Sequence, residues 1–186
     1  LEALMDGREG GSVTMVDASG EVFAWRGQQY GLARADSVSP HLVHAIVATE
    51  DRRFYRHFGV DLRGTARAAV VNLRAGQTVQ GGSSLSQQVA KLIWFDNTRT
   101  LERKIKEIPA ALALEWKFSK DDILSIYLNR AYLGAGATGF EAASQRYFGK
   151  SAADVTPAEA AMLAGLLRAP SRFAPTSDLA RAQERA

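Results

Sequence analysis

Ser39-Pro-His-Leu-Val-His-Ala-Ile-Val-Ala-Thr-Glu50-Asp-Arg-Arg-Phe-Tyr-Arg-His-Phe-Gly59 sets the architecture of this chain. Serine followed by proline reads as a helix start, with Ser39 as N-cap and Pro40 at the first helical position. Leu42, Val43, Ile46 and Val47 then recur at helical spacing and mark a buried stripe. Glu50 falls four residues after Ile46 and seven after Val43, so it prolongs that stripe. A carboxylate on an apolar face loses water, which pushes its pKa upward and suits it to general-base work. The competing reading is a glutamate at a fraying helix end, paired with Arg53 or Arg56. Asp51 points about 100° away around the helix and suits a cap or an ion pair. His57 lies beyond the expected helix end, before Phe58-Gly59, where a structural hydrogen bond is the commoner role.

Downstream, Gly81-Gly-Ser-Ser-Leu-Ser-Gln-Gln-Val-Ala-Lys91 has its own grammar. The glycines allow a tight turn, Ser83 fits an N-cap, and Leu85, Val89, Leu92 and Ile93 supply a buried face. Ser84, Gln87, Gln88 and Lys91 fall largely away from it. A serine-rich helix start after glycines offers open N–H groups to an anion. The competing reading is a flexible linker over 75–82 followed by an ordinary capped helix; with little core of its own, the stretch 76–82 should be mobile. No Gly-Lys-Ser/Thr follows, so it is not a nucleotide-type phosphate loop.

A third segment places Arg99, Arg103 and Glu107 four residues apart, stacked on one helix face with Lys104 beside them. Leu101, Ile105, Ile108 and Leu112 form the opposite face. A solvated, salt-bridged face is the ordinary meaning of such a charge run. Pro109 should kink the helix just after Glu107 or begin a new one.

The rest of the chain is helical in pattern after a short β-prone start. Residues 13–25 alternate around a turn at Ala18-Ser19-Gly20 and read as a hairpin. Helices are expected near 40–53, 61–74, 84–95, 100–117, 120–129, 140–147 and 157–168. Ser119 and the box Thr156-Pro-Ala-Glu159 mark helix starts. Gly134, Gly136 and Gly139 are read as backbone turns, and Gly149 as a helix cap. The 186 residues, 46% hydrophobic, can build one compact core. No apolar run reaches membrane-span length. There is no cysteine, hence no disulfide or thiolate metal site. The net charge of +3 favours an anionic surface only mildly. Acidic residues intersperse the basic ones and no nucleic-acid reader motif is present, so no nucleic-acid partner is expected. The start at Leu1, without a signal peptide, suggests a piece excised from a longer protein.

Taken in order, these segments resemble the peptidoglycan glycosyltransferase domain, glycosyltransferase family 51, of class A penicillin-binding proteins and monofunctional transglycosylases. Glu50-Asp51, Phe54, His57 and Gly59 match its first motif. Gly81-Gly82-Ser83-Ser84-Leu85-Ser86-Gln87-Gln88 and Lys91 match the second, and Arg103-Lys104 with Glu107 the third. Tyr127-Leu128-Asn129, Tyr132, Gly134, Gly136, Gly139 and Tyr147-Phe148-Gly149-Lys150 match the fourth. Ala158-Glu159-Ala160-Ala161 through Ala169-Pro170 match the fifth. The likeness runs over 38–175. Ser84 and Ser86 stand for the usual threonines, and Ser125 where glutamate is common.

The resemblance implies a mainly α, lysozyme-like helical domain with a short N-terminal β-hairpin. Its divisions would be a hairpin and linker over 1–37, the transferase domain over 38–175, and a truncated C-terminal segment from 176. It implies polymerisation of lipid II into β-1,4-linked glycan by inverting transfer, with release of undecaprenyl pyrophosphate. Glu50 and Glu107 would be the catalytic carboxylates. Asp51, His57, Ser83, Gln87, Gln88, Lys91, Arg99, Arg103 and Lys104 would bind substrate or pyrophosphate. No cofactor is obligatory; a Mg²⁺ ion near Glu107 is the one metal it allows. Partners would be lipid II, the nascent strand, a membrane surface and other wall-synthesis proteins, at the outer face of the cytoplasmic membrane. Two other functions compete: a lytic, lysozyme-like enzyme that cuts glycan, and an inactive membrane-surface scaffold. No Ser-x-x-Lys or Lys-Thr-Gly of a β-lactam-binding transpeptidase occurs in these residues.

Overall fold

The computed structural model describes residues 1–6, 13–20, 22–26, 31–77, 79, 81–96, 98 and 100–170. A short helix α1 (Glu2–Met5) and the strands β1 (Val13–Val16) and β2 (Val22–Arg26) precede α2 (Pro40–Glu50), a 3₁₀ turn (Phe54–Arg56) and α3 (Leu62–Ala75). Then come α4 (Leu85–Trp94), α5 (Leu101–Lys117), α6 (Lys120–Arg130), α7 (Phe140–Phe148) and α8 (Pro157–Leu166). The fold is mainly α with one two-stranded antiparallel hairpin, as the pattern suggested. Val13 pairs with Arg26 and Val16 with Val22, with a register slip at Met15/Val16.

Helix α6 is the hub. Ile123, Leu124, Ile126, Tyr127 and Leu128 are all buried, and so are the polar Ser125 and Asn129. An all-round buried helix needs its polar groups satisfied. Asn129 accepts from the Ala33 N–H at 2.9 Å and donates to the Ala33 and Ser125 carbonyls. Ser125, where glutamate is common in the resembling family, accepts from the Ala35 N–H at 2.9 Å. Arg130 donates to the Leu4 and Asp6 carbonyls at the end of α1. The polar residues of α6 therefore strap residues 33–35 and α1 onto the core. Helix α2 packs on α8, and α4 packs on both α5 and α6.

Several local expectations change. Helix α2 stops at Glu50 rather than Arg53, because Asp51 leaves helical geometry (φ −158°, ψ 82°) to turn its carboxylate inward. The N-cap of α4 is Ser84, not Ser83. Ser84 Oγ accepts from the Gln87 N–H while Gln87 Oε1 accepts from the Ser84 N–H, a full capping box. Pro109 neither ends nor restarts a helix; α5 runs through it from Leu101 to Lys117. The helix start at Ser119 and the box at Thr156/Glu159 form as read, and Ser119 with Asp122 makes a full box as well. Gly134, Gly136 and Gly139 adopt φ of 86°, 77° and 88°, the left-handed geometry that favours glycine. Of the stretch 76–82, Thr78 and Gln80 lie outside the described residues. Val79 is tied at both groups, its N–H to Asn72 Oδ1 and its carbonyl to Arg168.

Candidate active site

A cleft of about 750 Å³ opens between the end of α2, α3, the 79–84 segment, α4 and the first turns of α5. Glu50 reaches it because Leu42 and Ile46, two turns and one turn earlier on the same face, are fully buried. Its Oε2 accepts from Gln88 Nε2 at 2.8 Å, which ties α2 to α4. Burial raises the Glu50 pKa above the ordinary glutamate value; the Gln88 bond and Lys91 pull the other way, while neighbouring Asp51 adds to the rise. Below it lies buried Tyr127, whose phenol is held neutral first by burial and then by the Glu50 charge. The alternative of Glu50 pairing with Arg53 does not form: Arg53 meets Asp61 instead, at 3.5 Å.

The opposite wall carries Lys91, Arg103, Lys104 and Glu107. Glu107 is 1% exposed. Lys104 Nζ lies 2.6 Å from Glu107 Oε2 and also donates to Ser83 Oγ. Arg103 Nε lies 2.9 Å from Glu107 Oε1, an ion pair whose N–H is not aimed along a hydrogen bond. One buried carboxylate thus gathers two cations and leaves an acceptor and a donor unspent. Burial, followed by Arg103, lowers the Lys91 pKa, with Lys104 adding and the two glutamates opposing.

Other expected site residues are spent on structural bonds: Asp51 lines the cleft but is fully engaged, and His57 and Gln87 lie outside its lining. Asp51 Oδ2 takes the Leu85 N–H at 3.0 Å and His57 Nε2 at 2.8 Å, and Oδ1 takes the Arg53 N–H. Asp51 and His57 form a latch between the end of α2 and the start of α4. The His57 side chain is 6% exposed, with Nδ1 unpartnered. Gln87 is buried in the capping box and does not line the cleft. The open helix start expected at Ser83 is likewise corrected: the Leu85 and Gln87 N–H groups are already taken by Asp51 and Ser84. Arg99 lies outside the described residues. The charged side of α5, where a solvated face was the ordinary reading, is the buried one at Glu107.

The residues around Glu107 do not fit a protein-held Mg²⁺. Glu107 is a single carboxylate crowded by cations, and among the described residues no three Asp, Glu or His side chains converge as ligands. Spacing alone did not place Arg67, Asp61 and Arg168 in the cleft that they line. Arg67 shares α3 with Arg63 and Arg74, a spacing that marks a helix but not the cleft it meets, and Asp61 and Arg168 belong to no charge run.

The family model described as Transglycosylase matches residues 19–186. The chain belongs to the transglycosylase family. Membership carries the enzyme class, a transglycosylase. This transglycosylase domain is 46% identical over 170 residues to penicillin-binding protein 1A of Aquifex aeolicus, covering 91% of the chain and 23% of that relative. It is 45% identical over 169 residues to penicillin-binding protein 1A of Escherichia coli, covering 90% and 20%. The chain therefore spans less than a quarter of the length of these relatives. Against the crystal structure of penicillin-binding protein 1A from Haemophilus influenzae the TM-score is 0.49 at 24% identity, over 94% of the chain and 17% of that structure.

Proposed function

We propose that the cleft joins two lipid II-type substrates, extending a glycan strand with loss of undecaprenyl pyrophosphate. One observation carries this reading: Glu50, with its raised pKa, shares a cleft with Lys91, Arg103 and Lys104, gathered around buried Glu107. Glu50 takes the proton from the acceptor 4-hydroxyl. That oxygen bonds to the donor's anomeric carbon as the bond from that carbon to the diphosphate oxygen breaks, which inverts an α-linked donor to a β-linked product. The diphosphate departs with its electron pair toward the cations, which need no reorganisation to receive it. Glu107 holds Arg103 and Lys104 in place. Gln88 keeps the Glu50 carboxylate aimed, and the Asp51–His57 latch fixes the α2–α4 junction beneath it. Glycan cleavage fits less well, because a polysaccharide brings no diphosphate to this wall.

Both substrates carry lipid tails, so the cleft must open at a bilayer. Two helices beside it expose apolar side chains: Leu62, Val70 and Leu73 on α3, and Leu101, Ile105, Ile108 and Leu112 on α5. Arg63, Arg67, Arg74 and Lys106 flank them. Apolar residues bordered by cations suit the interface of an anionic membrane, consistent with work at the outer face of the cytoplasmic membrane. No helix among the described residues is long and apolar enough to cross one.

Incubation with lipid II and detergent should yield muramidase-sensitive, β-linked polymer. Glu50→Gln should stay folded and lose turnover by a factor on the order of 10² or more. Near-normal turnover in that variant would remove Glu50 from the reaction, and an α-linked product would defeat single displacement.

A further inference from the structure

Away from the cleft, a buried ion pair serves no step of this reaction. Glu115, near the end of α5, has a side chain only 3% exposed, and its Oε1 lies 2.6 Å from Lys120 Nζ. The same oxygen accepts from the hydroxyl of Ser86, a fully buried residue of α4. Lys120 Nζ also sits 4.5 Å from the centroid of the Phe54 ring, which is fully buried. Phe54 in turn meets His57 edge-on, with ring centroids 6.3 Å apart. None of Ser86, Phe54, Glu115 and Lys120 lines the cleft.

Two features set this pair apart from ordinary packing. Lys120 is the first residue of α6, where unpaired N–H groups and the helix dipole disfavour a cation. An apolar pair of similar volume is commonly as stable as a buried ion pair, or more so. Charges in such a place are better explained by the geometry they impose, and here the contacts close a ring. Asp51 accepts from the Leu85 N–H at the start of α4, and the next residue, Ser86, reaches Glu115 of α5. Glu115 holds Lys120 of α6, Lys120 covers Phe54, and the Phe54 N–H donates to the Asp51 carbonyl at 2.9 Å. Tyr55, beside Phe54, donates to Asp121, beside Lys120, at 3.1 Å, a second tie between the 3₁₀ turn and α6. Glu50 directly precedes Asp51 on one side of the ring, and its partner Gln88 lies two residues after Ser86 on the other.

We infer that Glu115 and Lys120 are positioning residues for Glu50: by holding the start of α4 against the 51–57 turn, they keep the Gln88 amide on the Glu50 carboxylate. The role rests on Glu50 acting as the base of the polymerisation. A hydrogen bond weakens steeply outside a narrow range of distance and angle, so a small slip of α4 loosens the hold on that carboxylate. Arg103 and Lys104, by contrast, are anchored to Glu107 on their own helix and stay in place. Opening the ring therefore slows the chemical step and spares substrate binding.

The test uses Ser86→Ala, which opens the ring without unbalancing a charge, and Glu115→Gln/Lys120→Met, which removes both charges together. Both should stay folded, with melting temperatures close to the parent's. In the ¹⁵N-labelled chain the Gln88 side-chain amide resonances should shift in each variant, with no turnover required. With lipid II, kcat should fall about tenfold, the scale of one lost charged hydrogen bond, while KM stays within about twofold. Lys120→Arg keeps a cation over the Phe54 ring and should turn over about tenfold faster than the double variant. Unmoved Gln88 resonances, an unchanged kcat, a KM rise equal to the kcat loss, or an arginine variant no faster than the double one would overturn the positioning role. So would melting temperatures that fall in step with kcat, which would leave the ring merely structural. Should the double variant fail to fold, Ser86→Ala decides by the same readings. Gln88 resonances that shift in a chain whose parent makes no polymer would sink the polymerase reading while keeping the ring's hold on Glu50.

Discussion

Helices α4 and α5 lie against each other, and each has one apolar and one polar side, yet they use those sides in opposite ways. Helix α4 buries Leu85, Val89 and Ala90 in the core and turns Gln88 and Lys91 to the cleft. Helix α5 buries Glu107 with Ala111 and Leu114, and leaves Leu101 and Ile105 84% and 67% exposed. Periodicity reports that a helix separates two environments. It does not say that the apolar one is the protein's own interior. Where the polar face of α5 is drawn inward by a cation cluster, the apolar face is left for another apolar medium.

The sharpest way to break this contrast is a paired truncation. Leu85→Ala should cost about 2–5 kcal/mol, the usual range for a fully buried leucine, read as a denaturation midpoint. Ile105→Ala should change the same midpoint by no more than about 0.5 kcal/mol. Comparable losses at both sites would mean that the α5 stripe is part of the core.

Asp51→Ala removes the acceptor shared by Leu85, Arg53 and His57, and should cost about 1–3 kcal/mol. Turnover should fall as well, because the same latch sets the spacing between Glu50 and Gln88. A variant of unchanged stability would show that the latch is ornamental.

The cleft side of α4 can be sharpened by pH. A base must be ionised, so turnover should fall as pH drops through the raised Glu50 pKa. Gln88→Leu removes the hydrogen bond that favours the carboxylate, so the acid limb should move to higher pH. Stability has its own sign. A glutamate whose folded pKa is raised stabilises the fold fully below its unfolded pKa, and this is lost as pH rises through the folded value. Glu50→Gln should therefore lift the melting temperature slightly at neutral pH, while the difference fades in acid. A limb left in place by Gln88→Leu would detach Gln88 from the Glu50 charge.

The smallest expected effect on folding is also the most telling for α5. Ile105→Asp should leave stability within about 0.5 kcal/mol yet weaken flotation with anionic liposomes. Flotation as strong as in the parent chain would remove α5 from the membrane-contact proposal.

Much of this was legible because caps and stripes are local. Ser119 and Thr156 start helices, and Gly149 ends one, through bonds within a few residues, so spacing sufficed. Glu50 could be found because its place follows from Leu42 and Ile46 on its own helix. What spacing could not reveal depends on contacts far along the chain. Asp51 turns inward for the Leu85 N–H, which only the packed fold brings near. Ser83 lost the cap to Ser84 because Ser84 also donates to the Gly59 carbonyl across the junction. Arg168 carries no local signature, and Arg67 marks only the charged border of its helix; that both line one cleft comes from the packed fold.

The strap on α6 carries a further consequence. Ala33 and Ala35 belong to no helix or strand, yet their amide hydrogens are held by the side chains of Asn129 and Ser125 inside the core. Hydrogen exchange there should be governed by opening of the hub helix rather than by loop motion. In deuterated water these two coil amides should retain their protons about as long as the backbone of α6 itself, marking the segment as one cooperative unit with the helix ninety residues away.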